Sequence, residues 1–136
     1  MSDTVLAIDF GTSNSLVGAR HKNQRIEAMP IDPLASDPTL MRTLLYFPDQ
    51  DQCFYGAEAI NQYLSTEMEG RLFRSFKSHL PNRNYLGTYM KDRLLTLENM
   101  IGIFLLEIKK RAEAHLNQTI DSAVIGRPAR YSMEPE

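Results

Sequence analysis

Val5-Leu6-Ala7-Ile8-Asp9-Phe10-Gly11-Thr12-Ser13-Asn14-Ser15 is the stretch whose reading decides the fold. Val5 to Ile8 is a short apolar run, the pattern of a buried strand. It ends on Asp9 and Gly11 with small polar residues behind them, the pattern of a turn. Leu16, Val17, Gly18 and Ala19 form a second strand, His21 to Gln24 is polar enough for a turn, and Ile26, Ala28 and Met29 read as a third. Three strands joined by short turns make a β-meander. A carboxylate at a strand end, beside a glycine and three small polar residues, is also the composition of a loop that cradles phosphate. Gly11 can take φ > 0 and puts no Cβ between backbone N–H groups and a phosphate. Thr12 and Ser13 add hydroxyl donors, and Asp9 can hold Mg²⁺ through water, because Mg²⁺ keeps several waters beside phosphate ligands. The same residues also serve as ordinary hairpin turn chemistry, so these residues alone leave both readings open.

Outward from that stretch, three prolines between Pro30 and Pro38 deny ladder donors and force extended or turn backbone, which places a boundary between lobes there. Leu44 to Phe47 reads as a strand, Pro48 to Asp51 as a turn, and Cys53 to Gly56 as the return of a short hairpin. Ala57 to Met68 suits a helix with Ala59, Ile60, Tyr63 and Leu64 on one side, whereas Phe73 to Asn84, broken by Pro81, reads as loop or short helix. From Thr96 to about Leu116 the apolar residues Leu97, Met100, Ile101, Phe104, Leu105, Ile108, Ala112 and Leu116 recur at three- and four-residue steps, which predicts an amphipathic helix. Thr96 suits its N-cap and Glu98 its positive end. Lys109, Lys110, Arg111 and His115 suit its negative end, and Asn117 its stop. Ala123 to Gly126 is a final short strand before Pro128. The expected class is α/β, with a core subdomain from residues 1–39 and 96–136 and a smaller inserted subdomain from 40–95.

Composition narrows the function. The chain has 136 residues, 43% hydrophobic and 24% charged, an ordinary globular balance that disfavours disorder, collagen-like repeats and a disulfide scaffold. A net charge of −2 offers no field to attract nucleic acid or an anionic membrane. Cys53 is the lone cysteine and no basic, apolar leader opens the sequence, so a cytoplasmic setting is expected. Met100 to Leu106 is too short an apolar stretch to span a membrane. His21, His79 and His115 are scattered without carboxylate or cysteine at ligand spacing, and Cys53 beside Phe54 and Tyr55 reads as a packing residue.

Four segments in order carry a family resemblance. Ile8-Asp9-Phe10-Gly11-Thr12-Ser13-Asn14-Ser15 followed by a meander resembles the first phosphate motif of the DnaK-like, seventy-kilodalton heat-shock chaperones of the actin-like ATPase superfamily. Tyr55-Gly56-Ala57-Glu58-Ala59-Ile60-Asn61-Gln62 looks like that family's Gly-x-x-Ala helix start, and Ser75-Phe76-Lys77-Ser78-His79-Leu80 like its lysine segment. The long helix ending at Leu116, followed by Ala123-Val124-Ile125-Gly126-Arg127-Pro128-Ala129-Arg130-Tyr131, is similar to its helix and Val-Pro-Ala-Tyr strand. The Ile-Gly-Arg-Pro wording is closest to the YegD-like branch.

The resemblance implies an actin-like, ribonuclease H-like ATPase lobe using ATP and Mg²⁺. Asp9 would hold the Mg²⁺ water shell, and Gly11, Thr12, Ser13 and Asn14 would wrap the β- and γ-phosphates. Lys77 would be the catalytic cation, reaching the γ-phosphate and the attacking water. Pro128 would sit at the proline switch, although a strand-terminating proline explains it equally on local grounds. Arg127 and Arg130 replace apolar or aromatic residues of the usual motif. The family's second phosphate loop is absent from these 136 residues, so the chain reads as the first part of a longer ATPase domain, inactive alone, with an uncovered face that favours self-association. Complete members bind client peptides and co-chaperones. A sugar kinase or filament protein of the same superfamily is one alternative reading, against which the 40–95 insertion and the Lys77 segment favour the chaperone; a non-catalytic binding module that kept the lobe as an interaction surface is another.

Overall fold

A computed structural model gives the fold and describes residues 3–49, 51–74, 87–90 and 93–126. In chain order the elements are β1 (Thr4–Phe10), β2 (Asn14–His21), β3 (Gln24–Ile26), β4 (Met41–Arg42), β5 (Leu44–Phe47), β6 (Phe54–Tyr55), α1 (Gly56–Ser65), β7 (Arg71–Arg74), β8 (Gly87–Met90), β9 (Arg93–Thr96), α2 (Leu97–Leu116) and β10 (Ala123–Gly126). The chain is mixed α/β, with a mixed five-stranded sheet ordered β10-β1-β2-β3. β1, β2 and β3 are the antiparallel meander, and β10 lies parallel to β1 with Ile8 opposite Ile125 and Asp9 opposite Gly126. β4 joins β2 beside the β1–β2 turn, with Asn14 opposite Arg42 and Ser15 opposite Met41. β5, flanked by β6 and β7, builds a second sheet, and β8 with β9 forms a separate hairpin.

The period-2 alternation of β1 and β2 creates the core. Leu6, Ile8, Phe10, Val17 and Ala19 are buried and pack against Met100, Phe104, Ile108 and Ala112 of α2. The rings of Phe10 and Phe104 meet with centroids 6.0 Å apart. The buried α2 positions fall one helical turn apart, as the periodicity predicts, and each large side chain buried there contributes about 1.5–3 kcal/mol. Thr96 caps α2 reciprocally: its hydroxyl accepts the Asn99 N–H at 3.0 Å and the Asn99 side chain accepts the Thr96 N–H at 3.2 Å. Asn117 stops the helix in the left-handed conformation.

Arg111 is placed by more than the helix dipole. Its Nε donates to Glu107 at 2.8 Å, its Nη1 donates to the Ile31 carbonyl at 3.0 Å, and it lies 3.6 Å from Asp32. Asp32 is buried and accepts the Ala57 N–H at 3.0 Å, supplying from a distant part of the chain the cap that Tyr55 does not give α1. Gly56 sits at φ 60°, where a Cβ would come 2.5 Å from Asp32 Oδ2, so glycine answers both the backbone and the carboxylate. Met29 and Ile31, at the start of the proline-rich stretch, are buried in the core beneath α2.

Four local expectations change. β3 ends at Ile26, although Met29 N–H still bonds the Val17 carbonyl at 2.8 Å. α1 ends at Ser65, since Glu67 and Met68 turn into the left-handed region. Leu64 is 62% exposed and leaves the face occupied by Ala59. Phe73 and Arg74 belong to β7, a strand recruited by β5 through the pair Leu45 opposite Phe73. Among the described residues no helix is long and apolar enough to cross a membrane.

Candidate functional site

The β1–β2 turn is closed by the Gly11 N–H donating to the Asn14 carbonyl at 3.0 Å. A Cβ on Gly11 would stand 2.3 Å from that carbonyl oxygen. The glycine is therefore required for space. It does not occupy the left-handed region that its sequence context suggested; among the described glycines Gly56 and Gly70 do. Thr12 and Ser13 are exposed at the tip, and their N–H groups find no protein acceptor among the described residues. Adjacent, unsatisfied N–H groups with hydroxyls beside them suit an anion.

Asp9 lies on the sheet face opposite α2. Paired residues share a face, so Asp9 is grouped with Leu16 and Gly126, and Asn14 with Arg42, at the loop end of this surface. Asp9, Ala7, Leu16, Gly18, Ala28 and Val124 border a recess of ≈ 710 Å³ there. The lining is small toward the loop, where Asp9 is its acidic group, and charged at the far end, where Arg20, Arg25 and Glu27 border it. Among the described residues no three His, Cys, Asp or Glu side chains gather as a metal site. Asp9 is the carboxylate that could hold Mg²⁺ through water at this end of the sheet, since Mg²⁺ keeps several waters beside phosphate ligands.

From the α2 side the loop is held by a residue that sequence reading did not single out. Thr43, 1% exposed, donates its hydroxyl to the Gly11 carbonyl at 2.9 Å, and its N–H bonds the Ser13 carbonyl at 2.9 Å. The Ser15 hydroxyl is 2.8 Å from Thr43 Oγ1. Because Thr43 has one hydroxyl proton and gives it to Gly11, Ser15 is the donor in that pair. Ser15 is fully buried and so faces the core, not a ligand at the loop. Arg42 was likewise missed: it is exposed, directly opposite Asn14, and brings a guanidinium to the loop end of the open face. No local pattern marks either residue, since both reach the loop by strand pairing across about 30 residues.

The structure thus brings Asp9, Gly11, Thr12, Ser13 and Asn14 together at one end of β1 and β2. Lys77 and Pro128 lie outside the described residues. Cys53 packs against the main core, and burial pushes its thiol up to about 11, which keeps it protonated and a poor nucleophile at neutral pH. Tyr55, half-buried beside it, is also shifted upward, by burial first. His21 takes part in a hydrogen bond with Thr4 Oγ1 at 2.7 Å. A scan of the chain against models of known protein families finds no match.

Proposed function

We propose that this chain is the N-terminal lobe of the ATPase domain of a DnaK-like chaperone with an actin-like fold, contributing the first phosphate loop of an ATP and Mg²⁺ site. The observation that carries the reading is the convergence, at one sheet end, of the exposed Asp9 carboxylate with a hairpin whose Thr12 and Ser13 N–H groups have no protein acceptor among the described residues. The backbone of Gly11 to Asn14 and the Thr12 and Ser13 hydroxyls bind the β- and γ-phosphates, and Arg42 adds positive charge from the neighbouring strand. Asp9 would hold the Mg²⁺ through its water shell, as a carboxylate acceptor of hydrogen bonds. When bound, Mg²⁺ supplies neutralisation of phosphate charge. Lys77 is the catalytic cation of this proposal and Pro128 its relay. Coupling of hydrolysis to client peptides, engagement of co-chaperones and a cytoplasmic setting follow from the same resemblance.

Calorimetric titration with ATP and MgCl₂ tests it, with Asp9→Ala beside the wild type. The expected result is a dissociation constant of about 1 mM, some −4 kcal/mol, lost in Asp9→Ala with the melting temperature unchanged. No saturable heat up to about ten times that concentration, or equal affinity in both proteins, overturns it.

A further inference from the structure

We propose that Thr43 is the positioning residue of the phosphate loop, so that the shape of residues 11–14 is set by strand β4 and its continuation into β5 as well as by the loop's own sequence. This inference rests on the reading of that loop as a phosphate site.

Three hydrogen bonds carry it. Thr43 grips the loop at its entry through the Gly11 carbonyl and at its tip through the Ser13 carbonyl, and anchors the start of β2 through Ser15. These are the carbonyl sides of the loop peptides. A peptide whose C=O is held has its N–H direction fixed, because the group is planar. Holding the Gly11 carbonyl orients the Thr12 N–H, and holding the Ser13 carbonyl orients the Asn14 N–H. A loop of small residues would otherwise lose that order on binding an anion, at a cost in affinity. The clamp is buried, where a hydroxyl bond is not exchanged for water.

Thr43 also stands between β4, which belongs to the five-stranded sheet, and β5, which belongs to the second sheet. The residue that orders the loop is therefore also the chain link from the first sheet to the second, so a displacement of β5 reaches the loop through the Thr43 hydroxyl and backbone N–H.

Amide hydrogen exchange of wild type, Thr43→Val and Thr43→Ser tests the inference without requiring a ligand. Valine keeps the shape and removes the donor. The expected result is Gly11 amide exchange faster by about tenfold in Thr43→Val, the worth of one net hydrogen bond, with Phe104 and Ile108 of α2 unchanged and Thr43→Ser restoring the wild-type rate. A parallel titration with ATP and MgCl₂ is expected to weaken several-fold in the valine variant and recover in the serine one. Unchanged Gly11 exchange in Thr43→Val, or loss of α2 protection in proportion, overturns the positioning role. If Gly11 exchange responds as expected while wild-type protein binds no ATP, the phosphate reading fails and Thr43 positions the turn only. If ATP binds equally well to wild type and valine variant, the phosphate reading survives and the positioning role is overturned.

Discussion

On the α2 side of the five-stranded sheet, Leu6, Ile8, Phe10 and Val17 are at most 4% exposed, whereas on the other side the same two strands present Val5, Ala7, Asp9, Leu16 and Gly18 around a recess of ≈ 710 Å³. One strand pair thus carries two chemistries at alternate positions. The covered face is large and apolar because it must exclude water from α2. The open face carries small side chains and a carboxylate toward the loop, and the charged Arg20, Arg25 and Glu27 toward its other end. The difference teaches that alternation alone lets one strand pair close a core on one side and leave a recess on the other.

Substitutions separate the two faces. Phe104→Ala empties the covered face and is expected to cost about 3–5 kcal/mol in urea denaturation; Leu16→Ala, on the partly exposed face, is expected to cost less than about 1 kcal/mol. Equal losses would break the distinction. Asp32→Ala, at the joint between α2 and α1, removes the acceptor of the Ala57 N–H and the partner of Arg111, with an expected cost of about 2–3 kcal/mol. A change below about 0.5 kcal/mol would show that the joint does not hold these helices. Arg42→Gln is expected to weaken ATP affinity by about threefold, with a smaller salt dependence and no change in stability.

A further effect is one of pH. The Cys53 thiol is raised from 9.0 to about 11 in the folded state, by burial first. The unfolded chain therefore releases this proton at lower pH than the folded one, and stability falls as pH rises from about 9 to about 11. Cys53→Ala should flatten that part of the profile, and a profile unaltered by the substitution would contradict the burial of the thiol.

How much of this was legible in the sequence depended on the range of the interactions. β1, β2 and α2 were readable because their signals are local: alternation around Leu6 and Ile8, one-turn spacing from Met100 to Ala112, and the cap at Thr96. β7 was not, because Phe73 becomes a strand residue only by pairing with Leu45. Asp32 gave no sign of capping α1, since its partner Ala57 is 25 residues away. In the candidate site the loop itself was legible from Asp9 to Ser15. Its supports were not: Thr43 and Arg42 reach it through β4, two residues long and too short for any periodicity to reveal. For Gly11 the expected left-handed backbone is not found, and the requirement that the fold shows is clearance of a Cβ from the Asn14 carbonyl.

The contrast between the faces is tested most directly by mapping backbone amide chemical shifts during titration with ATP and MgCl₂. The account predicts shifts concentrated at Asp9 to Ser15 and at Arg42, absent from Phe104, Ile108 and Ala112 of α2, and abolished in Asp9→Ala. Shifts centred on α2, or none at the loop when ATP is saturating, would contradict it.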